Sequence, residues 1–125
     1  MLDSYQGVVS KMIVERPWGT YFNIHESPKY LVKEITINPG ARISLQLHHH
    51  RSEHWVCISG IACVEVADRQ KWVRPGESIF IPQGVKHRLT NPGAIPLMIV
   101  EVQMGELLSE DDIVRLDDDY NRETK

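Results

Sequence analysis

Gly40-Ala41-Arg42-Ile43-Ser44-Leu45-Gln46-Leu47-His48-His49-His50-Arg51-Ser52-Glu53-His54-Trp55 is the stretch that decides the fold. On a strand alternate side chains share a face, so Gln46 and His48 point the same way about 7 Å apart, a gap that two ligands of one ion can bridge. Glu53 follows after a polar turn and opens the apolar run 55–58. A second stretch, from Gly76 to Asn91, carries the turn Pro82-Gln83-Gly84 and then His87 at the head of another strand. The two stretches predict that Gln46, His48, Glu53 and His87 converge on one metal ion inside a small β-barrel. A nitrogen and oxygen set without thiolate suits zinc first, then manganese, iron, cobalt or nickel, and it leaves coordination positions open for water or substrate. A lone strand histidine, or a Pro-x-Gly turn before a histidine, would by itself be ordinary packing. Two strings that both hold their offsets weigh for the metal site. Gln46, a neutral and weak ligand, keeps a metal-free binding barrel as the alternative.

Outward from these strings the chain is strand and turn. Segments 21–25, 30–37, 41–48, 54–58, 61–67, 71–73, 78–81, 87–90 and 97–104 are short and rich in β-branched and aromatic residues. Turn residues divide them, among them Asn38-Pro39-Gly40, Ser59-Gly60, Pro75-Gly76 and Asn91-Pro92-Gly93. This is the rhythm of an all-β jelly-roll or barrel. The one helix signal lies near the end, where Ser109 is placed to cap Glu110-Asp111-Asp112 ahead of Ile113, Val114 and Leu116, so a short C-terminal helix is expected.

The 125 residues are enough for one core, and residues 1–125 are expected to form a single domain with 1–10 and 121–125 loose. A net charge of -3 gives no electrostatic footprint for nucleic acid or a membrane surface. No signal peptide or membrane-length apolar run is present, so a cytoplasmic protein is expected. Cys57 and Cys63 flank the Ser59-Gly60 turn and are expected to be reduced, packed thiols.

The strings Gly40-x5-Gln46-x-His48-x4-Glu53-x6-Gly60 and Gly76-x5-Pro82-x-Gly84-x2-His87-x3-Asn91 match the paired motifs of the cupin superfamily. Gln46 stands where most cupins carry a histidine, and phosphomannose isomerases are similar in using a glutamine as first ligand. Arg16-Pro17-Trp18-Gly19, Val32-Lys33-Glu34-Ile35, the run from Ser44 to Trp55, the run from Ile81 to Leu89 and Glu110-Asp111-Asp112-Ile113-Val114-Arg115 together resemble the type II mannose-6-phosphate isomerase domain. That domain often forms the C-terminal part of bifunctional mannose-1-phosphate guanylyltransferases. The likeness covers about residues 11–122. It implies a cupin jelly-roll (double-stranded β-helix) barrel, one divalent metal ion, and interconversion of mannose 6-phosphate and fructose 6-phosphate through an enediolate, in the supply of activated mannose. No Gly-rich nucleotidyltransferase segment precedes the barrel, so the implied isomerase is expected to be free-standing and without guanylyl transfer. The alternatives are a non-catalytic cupin that binds a sugar phosphate or sugar nucleotide, and another metal cupin such as a dioxygenase.

Such a reaction needs a base for the carbon-bound proton and cations for the phosphate. Lys33 alternates in phase with Leu31, Ile35 and Ile37 and is expected to line the barrel, its partner either substrate phosphate or an internal carboxylate such as Glu101. Glu101 and Gln103 share a phase in their apolar strand and are also expected to line the cavity. Arg51, between the histidine and the glutamate, is a candidate for the phosphate or the enediolate, with a solvated turn residue as the plain alternative. His50 is in phase with His48 and competes as a ligand or as the proton-transfer base. Arg88, beside His87, is a further substrate-binding candidate. His49 and His54 should point away from the ion. Trp18, Trp55 and Trp72 are expected to be core or dimer-contact residues. The apolar residues Val8, Val9, Met12, Ile13 and Val14 precede the barrel rhythm and are expected to cover a neighbour's sheet edge in a homodimer.

Overall fold

Strands in this chain alternate cleanly enough to bury one side of each, and two antiparallel sheets close over the result. The computed structural model describes residues 12–124. Eleven strands run in the order β1 (Val14–Arg16), β2 (Gly19–Glu26), β3 (Tyr30–Ile37), β4 (Leu45–Leu47), β5 (Arg51–Ser59), β6 (Ala62–Val66), β7 (Arg69–Val73), β8 (Ser78–Ile81), β9 (His87–Thr90), β10 (Leu97–Gly105) and β11 (Val114–Asp117). One sheet has the order β1-β2-β3-β10-β5-β8, the other β11-β4-β9-β6-β7. Among the described residues there is no helix, and so none long and apolar enough to cross a membrane. The expected strand segments are present, although only Leu45–Leu47 of 41–48 is a full strand and Arg42 adds an isolated bridge to Thr90.

Alternation decides what faces inward. In β3 the buried residues are Leu31, Lys33, Ile35 and Ile37, and in β10 they are Leu97, Ile99, Glu101 and Gln103. Register aligns the two series, with Ile35 opposite Ile99 and Lys33 opposite Glu101. Both strands therefore change from apolar to polar at the same level. The apolar half joins Trp55, Cys57, Ala62, Val64, Val73, Ile81 and Leu89 in one core between the sheets. Burial of such side chains stabilises the fold by about 1.5–3 kcal/mol each. The polar half is left as a pocket at one end. Cys57 and Cys63 are buried free thiols, with Cys63 Sγ accepting from Gln70 Nε2 at 2.7 Å.

The expected C-terminal helix does not form. Ser109 does act as a local cap, its Oγ accepting from Asp111 N at 3.1 Å and its carbonyl from Asp112 N at 3.1 Å, but the chain makes a single turn there. Asp112 then accepts the amides of His49 at 2.9 Å and His50 at 3.0 Å, which brings the following residues alongside β4. Val114 and Arg115 pair with Leu47 and Gln46, and a β-branched segment beside an open ladder gains more as a strand than as a short helix. The closing residues, expected to be loose, fold back on β11: Thr124 N donates to the Arg115 carbonyl at 3.0 Å, and Arg115 N donates to Thr124 Oγ1 at 2.8 Å. At the other end Met12 and Ile13 are exposed ahead of the edge strand β1, while Val8 and Val9, with the rest of 1–10, lie outside the described residues.

Asn91, the last residue of the second string, works for the fold. It is 0% exposed, its Nδ2 donates to the carbonyls of Ile37 at 2.9 Å and Ile95 at 2.8 Å, and its Oδ1 accepts from Gly93 N at 2.9 Å. Asn91→Ala strands these backbone groups, and we expect it to lower the unfolding free energy by about 2–4 kcal/mol in urea titrations. An unchanged midpoint would show that the groups find other partners.

Candidate metal centre

Three rows of cross-strand neighbours build the centre. In the five-stranded sheet Arg115 lies opposite Gln46, and Gln46 opposite His87. In the six-stranded sheet Lys33, Glu101 and Trp55 form one row, and Gln103 and Glu53 the next. His48 follows β4 where the strand has ended. His48, Glu53 and His87 are all buried, and one ligand atom from each lies within 4.8 Å of the others.

The histidine tautomers follow from their outer nitrogens. His48 Nδ1 donates to the Asp112 carbonyl at 2.6 Å, and His87 Nδ1 to the Val85 carbonyl at 3.0 Å. Each Nε2 therefore presents a lone pair inward. His87 Nε2 is buried with no hydrogen-bond partner. His48 Nε2 faces Glu53 Oε2 at 3.2 Å, which is an ion pair only if the imidazole is protonated. Burial and the neighbouring Arg51 guanidinium push His48 down to about 4, and burial also lowers His87, so both rings are neutral near pH 7. Two imidazole lone pairs and a carboxylate thus converge with few protons between them. An acceptor cluster of this kind, in a buried place, has the composition to hold a divalent cation.

Gln46 sits on the same side as the two histidines, its Oε1 accepting from Ser44 Oγ at 2.7 Å and its Nε2 3.3 Å from His48 Nε2. A half-turn of the amide would aim Oε1 at the cluster and leave Nε2 for the serine hydroxyl, which accepts as readily as it donates. The amide can therefore serve as a fourth donor without loss of its own anchor.

Charged and polar groups fix the surroundings. Arg51 is buried, with Nε 2.8 Å from Glu53 Oε2 and Nη1 donating to the Ser109 carbonyl at 3.0 Å. Burial opposes its charge, but the Glu53 and Glu101 carboxylates more than offset this and raise its pKa. The Trp55 indole N–H lies 2.9 Å from Glu53 Oε1 and 3.0 Å from Glu101 Oε2, so one donor ties the two carboxyls. Gln103 Nε2 donates to Glu101 Oε1 at 2.6 Å. Burial, and then the Glu53 carboxylate, push Glu101 up to about 8. Lys33 lines the same pocket, and its ion pair runs to Glu110 Oε2 at 2.7 Å rather than to Glu101.

The pocket thus gathers Gln46, His48, Glu53, Arg51, Lys33 and Glu101 along its lining, with His87 completing the ligand group. Two sequence candidates fall elsewhere. His50 is exposed, because the strand stops at Leu47 and the alternation that put it in phase with His48 stops too. Arg88 is buried away from the pocket lining, its Nε donating to the Ile43 carbonyl at 3.0 Å and its Nη2 to the Asp117 carbonyl at 2.9 Å, with Nη1 3.1 Å from Asp117 Oδ2. It ties β9 to the chain ahead of β4 and to β11, and its guanidinium donors are engaged there. His54 is exposed beside Ser78 and Phe80, as its phase required. Sequence reasoning missed Asp112 and Glu110, which it placed in a helix, and Arg115 with them. Trp55 could have been found, since it is two residues from Glu53 on one strand and so shares its face.

The family described as "Mannose-6-phosphate isomerase C-terminal" matches residues 5–118. The xanthan biosynthesis protein XanB of Xanthomonas campestris pv. campestris (strain B100) is 51% identical over 109 residues, covering 87% of this chain and 23% of that protein. The alginate biosynthesis protein AlgA of Pseudomonas aeruginosa is likewise 51% identical over 109 residues, covering 87% and 23%. Mannose-1-phosphate guanylyltransferase ManC of Salmonella typhimurium is 50% identical over 109 residues, with 87% and 23% covered. The chain spans about a quarter of the length of these curated relatives. Among solved structures, the capsular polysaccharide assembling protein CapF of Staphylococcus aureus superposes with a TM-score of 0.78 at 19% identity, over 91% of this chain and 34% of that one. The Cnp3 cupin domain of Schizosaccharomyces pombe gives 0.69 at 12% identity, over 80% and 71%. These likenesses show the expected cupin fold, and the match over residues 5–118 adds the family: the chain belongs to the mannose-6-phosphate isomerase C-terminal family of cupin domains.

Proposed function

We propose that this domain is a cytoplasmic, metal-dependent aldose–ketose isomerase that interconverts mannose 6-phosphate and fructose 6-phosphate. One observation carries the reading: acceptor atoms of His48, His87 and Glu53, that of His87 without any partner, lie in the same buried place as Glu101, a carboxyl whose proton affinity is near neutrality. A bound divalent ion, zinc first by the chemistry of the donors, would act there as a Lewis acid toward the sugar oxygens. Glu101 has the property needed to take a proton from C2 and return it to C1, because a group that must do both works best with a pKa close to the operating pH. Trp55 and Gln103 hold its two oxygens in place. Arg51 stands beside the ligand set, where negative charge develops as the enediolate forms, and its guanidinium is kept charged by Glu53.

Metal content tests the ligand set directly. His48→Ala, His87→Ala and Glu53→Gln should each lower the metal retained after dialysis by at least about tenfold, the scale on which even outer-shell changes act. Gln46→Ala should lose less, as the weakest donor. Full occupancy in all three variants would sink the assignment.

The activity is tested by solvent deuterium. Metal-loaded protein should place deuterium at C2 of mannose 6-phosphate, and Glu101→Gln should slow that exchange by about 100-fold or more with metal content unchanged. No exchange by a fully loaded native protein would favour the second reading, a sugar-phosphate binding cupin without catalysis.

The expected homodimer belongs to the same proposal, supported by exposed Met12 (82%) and Ile13 (61%) beside the edge strand β1. Removal of residues 1–13 should weaken self-association in sedimentation runs. A monomeric mass for the intact chain at micromolar concentration would contradict it.

A further inference from the structure

The pocket is lined by five cationic side chains, Arg16, Lys33, Arg51, Arg115 and Arg122. Three are matched to carboxylates: Lys33 to Glu110 at 2.7 Å, Arg51 to Glu53 at 2.8 Å, and Arg122 to Asp118 through Nε at 2.7 Å and Nη2 at 3.1 Å. Arg16 donates to the Glu15 carbonyl at 2.9 Å and the Tyr21 hydroxyl at 3.4 Å and lies over the Tyr21 ring at 5.3 Å, with no carboxylate paired to it among the described residues. Arg115 is the outlier. Its Nε is buried without any hydrogen-bond partner, and its backbone N and carbonyl are already taken by Thr124, so the segment holds the side chain in the pocket without satisfying it.

A buried unpaired donor on a cation is costly, and native structures keep one where something else supplies the acceptor. Burial first, and then repulsion from Arg122 and Arg16, lower the Arg115 pKa against the opposite pull of Asp118 and Glu110. On a guanidinium among other cations, an anionic group that offers several oxygens would supply the missing acceptor best. A phosphomonoester fits, because a guanidinium fork meets two phosphate oxygens at once.

We propose that Arg115, flanked by Arg16 and Arg122, is the subsite for the phosphate of a phosphorylated sugar. The assignment rests on the isomerase reading for the identity of the sugar, but not for the binding of phosphate. It displaces Lys33 and Arg51 from that role, since seating a phosphate on either would break an ion pair and strand a buried or half-buried carboxylate. Placement agrees. Arg115 is opposite Gln46 and Gln46 opposite His87, so the arginine lies two strand spacings, roughly 10 Å, across the sheet from the far ligand. A six-carbon sugar phosphate can span that interval with its phosphate at the arginines and C1 and C2 at the ligand set.

Inorganic phosphate and mannose 6-phosphate are the probes, titrated calorimetrically into metal-loaded protein, with thermal melts in parallel. Native protein should bind both and melt at a higher temperature with phosphate present. Arg115→Gln should bind each at least about tenfold more weakly, the loss expected for a charge-assisted pair, and should melt no lower than native without phosphate, because it removes a half-buried guanidinium whose Nε has no partner. Arg42→Gln, which removes a surface arginine paired with Asp119, should bind as native does. If C2 exchange is measurable, Arg115→Gln should raise KM with little change in kcat. Native-strength binding by a folded Arg115→Gln protein, or no phosphate binding by native protein, overturns the subsite. Phosphate binding that needs Arg115, with no deuterium exchange, upholds the subsite and removes the isomerase reading instead.

Discussion

A buried carboxylate must be answered where it stands, and Glu53, 1% exposed, is answered on every side. Arg51 closes one oxygen and the Trp55 indole the other, both from the same strand and the same face, two residues away in each direction. His48 then brings a lone pair, not a proton, to the oxygen shared with Arg51. Everything around the pocket follows from keeping that cluster of acceptors in place. The Asp112 and Val85 carbonyls decide which imidazole nitrogen is bare, and the His49 and His50 amides hold Asp112 at its post.

The same strands carry both stability and chemistry, divided along their length. From Ile35 and Ile99 in one direction the inward positions are aliphatic and pack as a core; in the other they are Lys33, Glu101 and Gln103, with Leu31 beside Gln103. Polar groups in a protein interior stabilise little even when paired, so the apolar half has to supply the favourable burial that holds the polar half rigid. That division gives the pocket walls that cannot easily adjust.

Local periodicity made much of this legible. Strand alternation alone placed Lys33, Glu101 and Gln103 on the inner face, and the two spaced strings brought His48, Glu53 and His87 together although His87 comes from a distant strand. The failures share a cause. His50 was assigned by extending an alternation past the end of β4, and the segment from Ser109 was assigned by a capping pattern that is satisfied in the structure by one turn. What overrides both is a tertiary bond, Asp112 to the amides of His49 and His50, and no local pattern announces a partner 63 or 62 residues away. Arg88 was a matter of direction: it neighbours a ligand in sequence and for that reason points to the opposite face of the strand.

The carbonyl that orients His48 belongs to a residue 64 positions downstream. During folding, the imidazole has no fixed tautomer or direction until the last strand has docked, and contacts of such long sequence separation form slowly. An ion bound to the finished set would hold β11 against the barrel by mass action. Opening of that terminal strand and release of such an ion would then be one cooperative process. The affinity of the centre would depend on the closure of the chain as much as on the donors themselves.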